Sequence, residues 1–409
     1  MGTADTCGDA GHRGSGPGTV GPDTACARLT GVPQLVVITE QLLAPVPGGT
    51  GRYTRELARA LAATAPAGWE VGGVVARHPD PAAAVIPGVA GPRVLPLPPR
   101  ALVAAWEQGL PLWPGGDAVH APTPLAPPAG RRGRRLVVTV HDTVPWTHPE
   151  TLTRRGALWH RKVIRRAADR ADALVVPTAA VAAELGRHAP GQARVHVVGE
   201  GVPEVLAVPP SDETVARVTA RLGLPNRYVL AVGTIEPRKG VETLVEAMGR
   251  SDAPDLPLVL AGAPGWGGVE PRELARRHYL PEERLHLLGR ISDEELAVVL
   301  HRATVLAAPS MAEGFGLPVL EAMAAGVPVV HSDAPALVEV AGGAGVVVKR
   351  GDAAGLARAL RAVVDDEGRR AGMAEAGRRR AARHRWEDAA EAVWRIHLEL
   401  HGSVRRGSR

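Results

Sequence analysis

The sequence predicts an α/β protein made of two doubly wound, Rossmann-like domains that face each other across a cleft. From Gln34 onward, short apolar runs alternate with helical segments, a pattern typical of parallel strands covered by helices on both faces. A proline-rich interruption at residues 203–212 divides this alternation into two parts of similar length. The 409 residues are enough for two or three domains, each with its own core. Because open α/β sheets bind ligands beyond the carboxyl ends of their strands, we expect the active site in the cleft.

The first part of the alternation, residues 32–202, is expected to form the N-terminal domain. A helix is predicted over residues 53–63, and strands are predicted at residues 35–38, 69–75, 93–97, 118–120, 136–141, 173–176 and 195–198. Residues 1–31 are rich in Gly, Thr, Asp and Pro and lack the apolar core of a signal peptide, so we expect a disordered leader. This segment holds both cysteines, Cys7 and Cys26, which excludes a fold organised by disulfides or by a cysteine zinc site.

The second part is expected to form the C-terminal domain, residues 213–385, after a linker at 203–212 that has no helical or strand periodicity. Its predicted strands are residues 228–232, 258–261, 285–288, 305–307, 327–330 and 345–348. Its predicted helices are residues 240–248, 294–301, 318–325 and 354–364. A final helix at residues 386–400 is expected to pack back toward the N-terminal domain, and residues 401–409 are expected to form a flexible tail.

The charge balance and the hydropathy exclude several classes of protein. The chain has 48 Lys and Arg residues against 43 Asp and Glu residues, a net charge of +5. This mild excess permits anionic partners such as phosphates or acidic lipids, and it does not indicate nucleic acid. No apolar run approaches the roughly 18 residues that span a bilayer. Together with the cysteine usage, these features predict a cytoplasmic protein.

One motif of the second domain, EGFGLPVLE at residues 313–321, has a glutamate at each end with seven residues between them, and it spans a strand-to-helix turn. Pro318 suits the first turn of the following helix, so the amides of residues 315–317 are expected near a helix N-terminus, which favours an anion such as phosphate. Glu313 could accept hydrogen bonds from ligand hydroxyls, while Glu321 is expected one turn inside the helix. The same local pattern also fits an ordinary capped helix with a surface glutamate.

A second motif, GTIEPRKG at residues 233–240, follows an apolar strand and opens the next helix. Arg238 and Lys239 place a forked guanidinium and an ammonium at the carboxyl end of that strand, where they could hold a diphosphate. A basic pair in a loop is more often a solvated turn. Because both motifs lie at strand-to-helix turns of the same domain, the pair favours a shared phosphate site.

With these motifs, the chain resembles the retaining glycosyltransferases of family 4, which have the GT-B fold of two facing Rossmann-like domains. The resemblance covers roughly residues 34–400 and also rests on GGTGRY at 48–53, HD at 141–142, GRI at 289–291, PS at 309–310 and AGVPVV at 325–330. It implies transfer of a sugar from a nucleoside diphosphate, with retention of the anomeric configuration. No metal or other cofactor is implied, since the nucleotide sugar is itself the donor substrate.

Carried over position by position, the resemblance assigns the catalytic roles to four residues. Arg238 and Lys239 would hold the diphosphate and neutralise the leaving group. Glu313 would contact hydroxyls of the donor sugar, and His141 would reach the reacting sugar from the N-terminal domain. A structural role for His141 as a buried histidine stays an alternative, and His120 is a secondary candidate.

The remaining candidates bind the donor. Glu321 would contact the ribose, residues 290–291 would line the nucleobase pocket, and the amides of residues 315–317 would add donors to the sugar and phosphate. The loop at residues 48–51 would approach the phosphate and the acceptor across the cleft. The donor-binding set is Gly49, Gly51, Gly233, Arg290, Ile291, Phe315, Gly316, Leu317 and Glu321.

The chemistry of this reaction agrees with the residues. An oxocarbenium-like transition state leaves negative charge on the diphosphate, where fixed cations and helix amides stabilise it most. In the retaining mechanism usually proposed for this fold, a diphosphate oxygen takes the acceptor proton, so no dedicated base is required. The sequence has no Asp-x-Asp triplet of the kind that holds a divalent ion under a nucleotide, so no metal is expected.

The resemblance also bears on the substrates and the activity. It favours GDP-mannose as the donor, with a hydroxyl of a glycan or of a lipid-linked molecule as the acceptor. A nucleotide-sugar-binding protein without catalysis, or a sugar-nucleotide epimerase of the same architecture, is the alternative function. A nicotinamide-dependent enzyme is disfavoured, because the glycines at residues 48–51 do not have the dinucleotide-binding spacing.

A basic segment, residues 154–170, carries seven Arg and Lys residues with Leu158, Trp159 and Ile164 between them. Such a helix can rest on anionic headgroups, which would place the protein at the inner face of a membrane; a solvated surface helix is the competing interpretation. Two positions depart from the family pattern, Glu200 where asparagine is commoner and Thr178 where serine is frequent. Both departures concern the acceptor side.

Overall fold

The strands form two parallel sheets in a computed structural model that describes residues 32–128 and 134–407. The predicted leader, residues 1–31, lies outside the described residues. The strands are β1 (Gln34–Ile38), β2 (Glu70–Val75), β3 (Ala90–Val94), β4 (Ala118–Ala121), β5 (Arg135–Thr139), β6 (Ala173–Val176), β7 (Arg194–Val197), β8 (Val229–Val232), β9 (Leu258–Ala261), β10 (Leu285–Gly289), β11 (Val305–Ala308), β12 (Val329–Ser332) and β13 (Val346–Val348).

Helices connect the strands and cover both faces of each sheet. They are α1 (Gly48–Ala63), α2 (Pro99–Glu107), α3 (Val144–Thr147), α4 (Arg154–Arg170), α5 (Ala179–His188), α6 (Glu204–Ala207), α7 (Asp212–Leu222), α8 (Val241–Gly249), α9 (Pro271–Arg277), α10 (Asp293–His301), α11 (Leu317–Ala324), α12 (Pro335–Ala341), α13 (Ala353–Val364), α14 (Glu367–Ala381) and α15 (Trp386–Gly407). None of the helices in the described part of the chain has the length and apolar composition of a membrane span.

The first sheet has the strand order β3-β2-β1-β4-β5-β6-β7, with all neighbours parallel. Its central strands are apolar on both faces, and Leu35 and Val37 of β1 have no exposed surface. Successive strands are added toward one edge of the sheet from β1 to β3 and toward the other edge from β4 onward, so the strand order reverses between β1 and β4. At such a switch point the connections leave on opposite faces and open a crevice beyond the carboxyl ends of the strands.

The second sheet has the order β10-β9-β8-β11-β12-β13, again entirely parallel. Its switch point lies between β8 and β11. The turn after β8 carries Arg238 and Lys239, and the turn after β11 leads to Glu313. The two motifs recognised in the sequence therefore leave neighbouring strands at the crevice. The predicted class, two Rossmann-like domains, is confirmed.

Several predicted boundaries were wrong for identifiable reasons. α1 begins at Gly48 and not at residue 53, because the amide of Gly51 already donates to the carbonyl of Pro47 at 2.9 Å. β12 starts at Val329 and not at residue 327, since Pro328 has no N–H to donate to a ladder. β3 starts at Ala90, not at residue 93, and includes Pro92 because it is an edge strand.

The segment 203–212, predicted to be an irregular linker, contains the one-turn helix α6, and α7 begins at Asp212. Leu206 of α6 is fully buried, and its carbonyl accepts a hydrogen bond from Nε2 of His301 on α10 at 3.1 Å. The buried Leu206 side chain and this hydrogen bond thus fix the segment against the C-terminal domain. A single turn of helix is too short to show a periodic apolar pattern in the sequence, so it was not predicted.

The last helix, α15, packs against α1 of the N-terminal domain. The indole Nε1 of Trp394 donates to the carbonyl of Leu61 at 3.0 Å, and the Trp386 ring meets the Tyr53 ring edge-on. The helix continues to Gly407, so the predicted helix end at residue 400 was wrong, while the flexibility of the last residues stays a prediction. No proline follows the last buried apolar residue, and the backbone ladder can therefore extend beyond it.

Candidate functional site

A cleft of about 860 Å³ lies between the carboxyl ends of the two sheets. Both domains line it, through the start of α1 and the turn after β5 on one side and the turns after β8, β10 and β11 on the other. With the exception of the secondary candidate His120, the site residues named from the sequence border this cleft: Gly49, Gly51, His141, Gly233, Arg238, Lys239, Arg290, Ile291, Glu313, Phe315, Gly316, Leu317 and Glu321.

Arg238, Lys239 and Glu313 form one charged cluster on the C-terminal wall. Nη1 of Arg238 lies 3.1 Å from Oε2 of Glu313, and Nζ of Lys239 lies 2.7 Å from Oε1 of the same carboxylate. Ser310 donates its hydroxyl to Oε1 at 2.7 Å, and Glu236 binds the other guanidinium nitrogen of Arg238 at 2.6 Å. Each side chain is thus oriented by at least one other member of the cluster.

The charges in this cluster decide the protonation states. Burial alone would raise the pKa of Glu313, but Lys239 and Arg238 outweigh it and hold that pKa at about 2. Burial also acts to lower the pKa of Arg238, and the carboxylates of Glu313, Asp142 and Glu236 raise it instead. The cluster is therefore a fixed carboxylate between two fixed cations at neutral pH.

The N-terminus of α11 borders the same wall. Gly316 precedes the helix with φ of +99°, and a Cβ at this position would lie 2.3 Å from Cδ2 of Leu337, so the turn requires glycine. The first amides of a helix have no intrahelical acceptor and present a partial positive charge to the cleft. The Phe315 ring packs edge-on against His384 with 5.8 Å between ring centroids, which leaves its backbone as the group available to a ligand.

Glu321 lies on the first turns of α11 and is 2% exposed. Nε of Arg52, from α1 of the opposite domain, is 3.4 Å from its Oε1. Burial raises the pKa of Glu321, and Arg52 opposes that rise. Beside it, residues 290–291 form the turn between β10 and α10, and Asp293 follows that turn and binds Nη2 of Arg52 at 2.5 Å.

His141 stands on the N-terminal wall, directly after β5. Its Nε2 donates to the carbonyl of Pro122 at 2.8 Å, and its Nδ1 lies 3.7 Å from Oε1 of Glu200, a residue with 4% exposure. The Tyr53 ring meets the imidazole edge-on at 4.6 Å. Burial acts to lower the pKa of His141, but Glu200 outweighs it and the pKa is raised.

His120 lies behind this wall and does not border the cleft. Its Nε2 is 3.1 Å from Oγ1 of Thr139, which in turn is 3.0 Å from the Tyr53 hydroxyl, and its Nδ1 is 3.4 Å from Nε2 of His397 on α15. Burial lowers the pKa of His120 to about 3, so the ring is neutral. His120 belongs to a buried hydrogen-bonded chain that supports Tyr53. The prediction of His120 as a secondary site residue in the cleft was therefore wrong.

The glycines at residues 48–51 form the first turn of α1, whereas the sequence predicted a loop. Gly51 is required for packing, because a Cβ there would lie 2.4 Å from Cβ of Pro47. Gly49 faces the other domain, where a Cβ on this residue would lie 3.9 Å from Cδ1 of Leu317. These glycines let α1 begin close to the C-terminal wall.

The two walls touch at Gly314. A Cβ on Gly314 would lie 1.8 Å from the carbonyl oxygen of His141, and the carbonyl of Gly314 accepts a hydrogen bond from Oγ1 of Thr178 at 3.0 Å. Nearby, the carboxylate of Glu339 accepts the amides of Ala179 and Ala180, at the start of α5, at 2.8 and 3.0 Å. At Gly314 the two domains therefore meet too closely for a side chain.

Sequence reasoning missed several groups that shape the site. Arg52, Asp293 and Ser310 were not singled out, although Arg52 and Ser310 lie within segments that carried the resemblance and Asp293 lies two residues after one. Glu200 was assigned to the acceptor side only, yet it lies beside His141. Arg52 could have been identified from the sequence, because it is a charged residue directly after a glycine of the GGTGRY motif. Across the ranges that the structure describes, no group of three or more His, Cys, Asp or Glu residues is placed to hold a metal ion.

Comparison with known proteins assigns a family to each half of the chain. Residues 47–204 match the model described as Glycosyltransferase Family 4, and residues 212–380 match the model described as Glycosyl transferases group 1. O-antigen chain mannosyltransferase B of Escherichia coli is 37% identical over 165 residues, which are 39% of this chain and 43% of that protein. D-inositol 3-phosphate glycosyltransferase of Corynebacterium aurimucosum is 32% identical over 276 residues, 64% of this chain and 63% of that protein. The chain thus spans about two fifths of the length of the first relative and just under two thirds of the second.

Solved structures share the architecture. Sucrose-phosphate synthase from Thermosynechococcus elongatus superimposes with a TM-score of 0.71 at 25% identity, over 91% of this chain and 100% of that chain. Anabaena Alr3699/HepE in complex with UDP-glucose superimposes with a TM-score of 0.67 at 20% identity, over 90% of this chain and 100% of that chain, which speaks for the fold alone. With both family models matched in order and the two-sheet cleft between them, the chain carries the domains of these two glycosyltransferase families in the GT-B fold.

Proposed function

We propose that this protein transfers a hexose from a nucleoside diphosphate sugar to a hydroxyl acceptor, with retention of the anomeric configuration. One observation carries the proposal: Arg238 and Lys239 both lie within 3.1 Å of Glu313 on one wall of the cleft, and that wall faces His141. A cationic pair beside a helix N-terminus is suited to a diphosphate, and a carboxylate beside it is suited to sugar hydroxyls.

The leaving group is stabilised by this wall. As the glycosidic bond breaks, negative charge grows on the diphosphate, and Arg238, Lys239 and the first amides of α11 are already oriented toward it. Because Glu313 and Glu236 position the two cations before the donor binds, little reorganisation is needed when the charge develops. The acceptor hydroxyl attacks from the same face, and a diphosphate oxygen takes its proton. No metal is required by this scheme.

His141 contributes from the other domain. Glu200 raises the pKa of its imidazole, which favours the protonated form, and a cation at this position strengthens contacts with oxygen atoms of the donor sugar and phosphate. The ring is fixed by Pro122 and Tyr53, so it meets the donor in a defined orientation.

The donor we propose is GDP-mannose. Support comes from the family resemblance and from the E. coli relative, whose name is that of a mannosyltransferase. The test is a panel of nucleotide sugars in thermal-shift measurements, followed by detection of released nucleoside diphosphate with glycan and lipid-linked acceptors. A matched donor at 100 times its dissociation constant should stabilise the fold by about 2.7 kcal/mol. Donor binding without release of nucleotide would identify a non-catalytic binding protein, and a change of sugar without release would identify an epimerase.

A lipid-linked acceptor at the inner face of the membrane is the finer part of the proposal. It rests on α4, where Arg154, Arg155 and Lys162 are exposed beside Leu158, which is 57% exposed. Two other basic residues of this helix are committed elsewhere: Arg161 donates to the Pro145 carbonyl, and Arg166 donates to the carbonyls of Trp106 and Glu107.

The membrane test therefore uses the exposed residues. Substitution of Arg154, Arg155 and Lys162 by Gln should release the protein from phosphatidylglycerol vesicles at low salt, since each basic residue near an anionic surface contributes about 1 kcal/mol. The matched control is the triple substitution by Gln of the exposed Arg369, Arg379 and Arg383 in the C-terminal domain. If the wild type stays in the supernatant at low salt, α4 is a solvated helix and a soluble acceptor replaces the lipid-linked one.

A further inference from the structure

One guanidinium crosses the cleft. Arg52 lies on α1 of the N-terminal domain, and both of its ionic partners, Asp293 and Glu321, lie in the C-terminal domain. Its side chain is 18% exposed although it stands at the edge of an open cleft. Asp293 binds Nη2 at 2.5 Å and Glu321 lies nearest to Nε at 3.4 Å, which leaves Nη1 as the nitrogen without a partner.

Two atoms of this pair have no hydrogen-bond partner. Nη1 of Arg52 and Oε1 of Glu321 are both buried and unpaired, because the separation of 3.4 Å joins Oε1 to Nε without a hydrogen bond. A buried donor or acceptor left without a partner costs about 1 to 3 kcal/mol. One unpaired donor and one unpaired acceptor on neighbouring side chains indicate a site for a ligand group that can both accept and donate.

A hydroxyl meets this requirement, since it donates one hydrogen bond and accepts others. A phosphate oxygen would accept from Arg52 but would repel the carboxylate of Glu321. A nucleobase edge is expected farther along the turn at residues 290–291. Among the parts of a nucleoside diphosphate sugar, the ribose diol fits both atoms best.

We propose that Arg52 completes the ribose site, so that the nucleotide diol is bound between Glu321 of one domain and Arg52 of the other. The inference rests on the proposed function, because it requires a nucleotide in the cleft. It assigns Arg52 a direct binding role and makes ribose recognition a contact to both domains.

The test combines a change in the protein with a change in the ligand. Binding of GDP, UDP and ADP is measured by titration calorimetry, and the tightest of them is compared with its 2′,3′-dideoxy form. The proteins are the wild type, Arg52→Met, Arg52→Lys and Arg59→Met. Arg59 is the matched control, because it lies on the same helix, pairs with Glu56 and does not itself line the cleft.

The dideoxy form lacks the two hydroxyls that would hydrogen-bond to the charged Arg52 and Glu321. The wild type and Arg59→Met should therefore bind it about 30- to 100-fold more weakly than the parent nucleotide. In Arg52→Met this penalty should shrink at least fivefold. Arg52→Lys keeps the charge opposite Asp293 and Glu321 but lacks the fork, so it should show the reduced penalty in a protein with wild-type melting temperature.

Two results would overturn the inference. If diol removal weakens Arg52→Met and Arg52→Lys as much as the wild type, to within twofold, Arg52 does not contact the ribose, while the proposed function stands. If the wild type binds none of the three nucleoside diphosphates, the proposed function is wrong, and the ribose site, which depends on it, is wrong as well.

Discussion

The two walls of the cleft are held in place by different physical means. The C-terminal wall is a set of charges that position one another, with Glu313 between Arg238 and Lys239 at 2.7 to 3.1 Å. On the N-terminal wall, Tyr53 packs against His141 and is itself supported by an uncharged hydrogen-bonded chain that runs through Thr139 and His120 into the core. The difference indicates a division of work: one wall supplies electrostatic stabilisation, and the other fixes the position of a single ring, His141.

The largest effect is expected from removing a cation of the C-terminal wall. Arg238→Met or Lys239→Met should lower kcat by about 10²- to 10³-fold, because each removes a preoriented contact to charge that develops in the transition state. Steady-state kinetics at saturating donor measure it, with Arg250→Met as control, since Arg250 pairs with Asp252 on the surface. Turnover within a few-fold of wild type at an equal melting temperature would exclude the diphosphate role.

The next effect concerns how closely the walls approach. Gly314→Ala would place a Cβ 1.8 Å from the His141 carbonyl oxygen, so the two walls must move apart. A misplacement of about 1 Å can lower turnover about 10²-fold. We expect this loss with a nearly unchanged melting temperature, and an increased radius of gyration by X-ray scattering. Gly372→Ala on α14, where a Cβ meets nothing within 4 Å, is the control; a fully active Gly314→Ala would show that the walls need not meet.

A smaller effect is expected on the N-terminal wall. His141→Gln removes one charge-assisted contact and should lower kcat about 10-fold, which corresponds to about 1.4 kcal/mol. The pH dependence of kcat should change as well, because the raised pKa of His141 no longer contributes. His401→Gln, outside the cleft, should leave both unchanged. An unaltered pH profile in His141→Gln would contradict a charged role for the imidazole.

The smallest effect is on stability and depends on pH. The pKa of Glu313 is about 2 in the folded protein against an ordinary value of 4.5, so its contribution to stability is complete above pH 4.5 and is lost as the pH falls toward 2. Lys239→Met removes one of the two cations that lower this pKa. The variant should therefore lose stability to urea at a higher pH than the wild type, while identical pH profiles would show that Lys239 does not hold the Glu313 charge.

The sequence allowed the fold class and most of the C-terminal wall to be predicted, because that wall is built from turns that directly follow apolar strands. Arg238, Lys239 and Glu313 lie at such turns, so local pattern and topology agree. Contacts between domains could not be predicted in this way. The approach of Arg52 to Glu321, and that of Gly314 to His141, depend on how two separately folded sheets are oriented.

Local signals also misled in specific places. The glycines at residues 48–51 look like a loop, yet they begin α1, because Gly51 lets the helix start against Pro47. His120 ends a strand near the cleft, but side chains alternate between the two faces of a strand, and this one points into the core toward His397. A buried hydrogen-bonded chain of this kind leaves no periodic signature in the sequence.

The central claim, transfer from a nucleoside diphosphate sugar with retention, is tested most directly by following donor hydrolysis by proton NMR. The wild type is incubated with α-linked GDP-mannose in buffer containing EDTA and without acceptor, and the first anomer of free sugar is recorded before mutarotation. We predict that nucleoside diphosphate and α-sugar appear together. A β-sugar as first product, or activity that disappears with EDTA and returns with a divalent metal, would contradict the account.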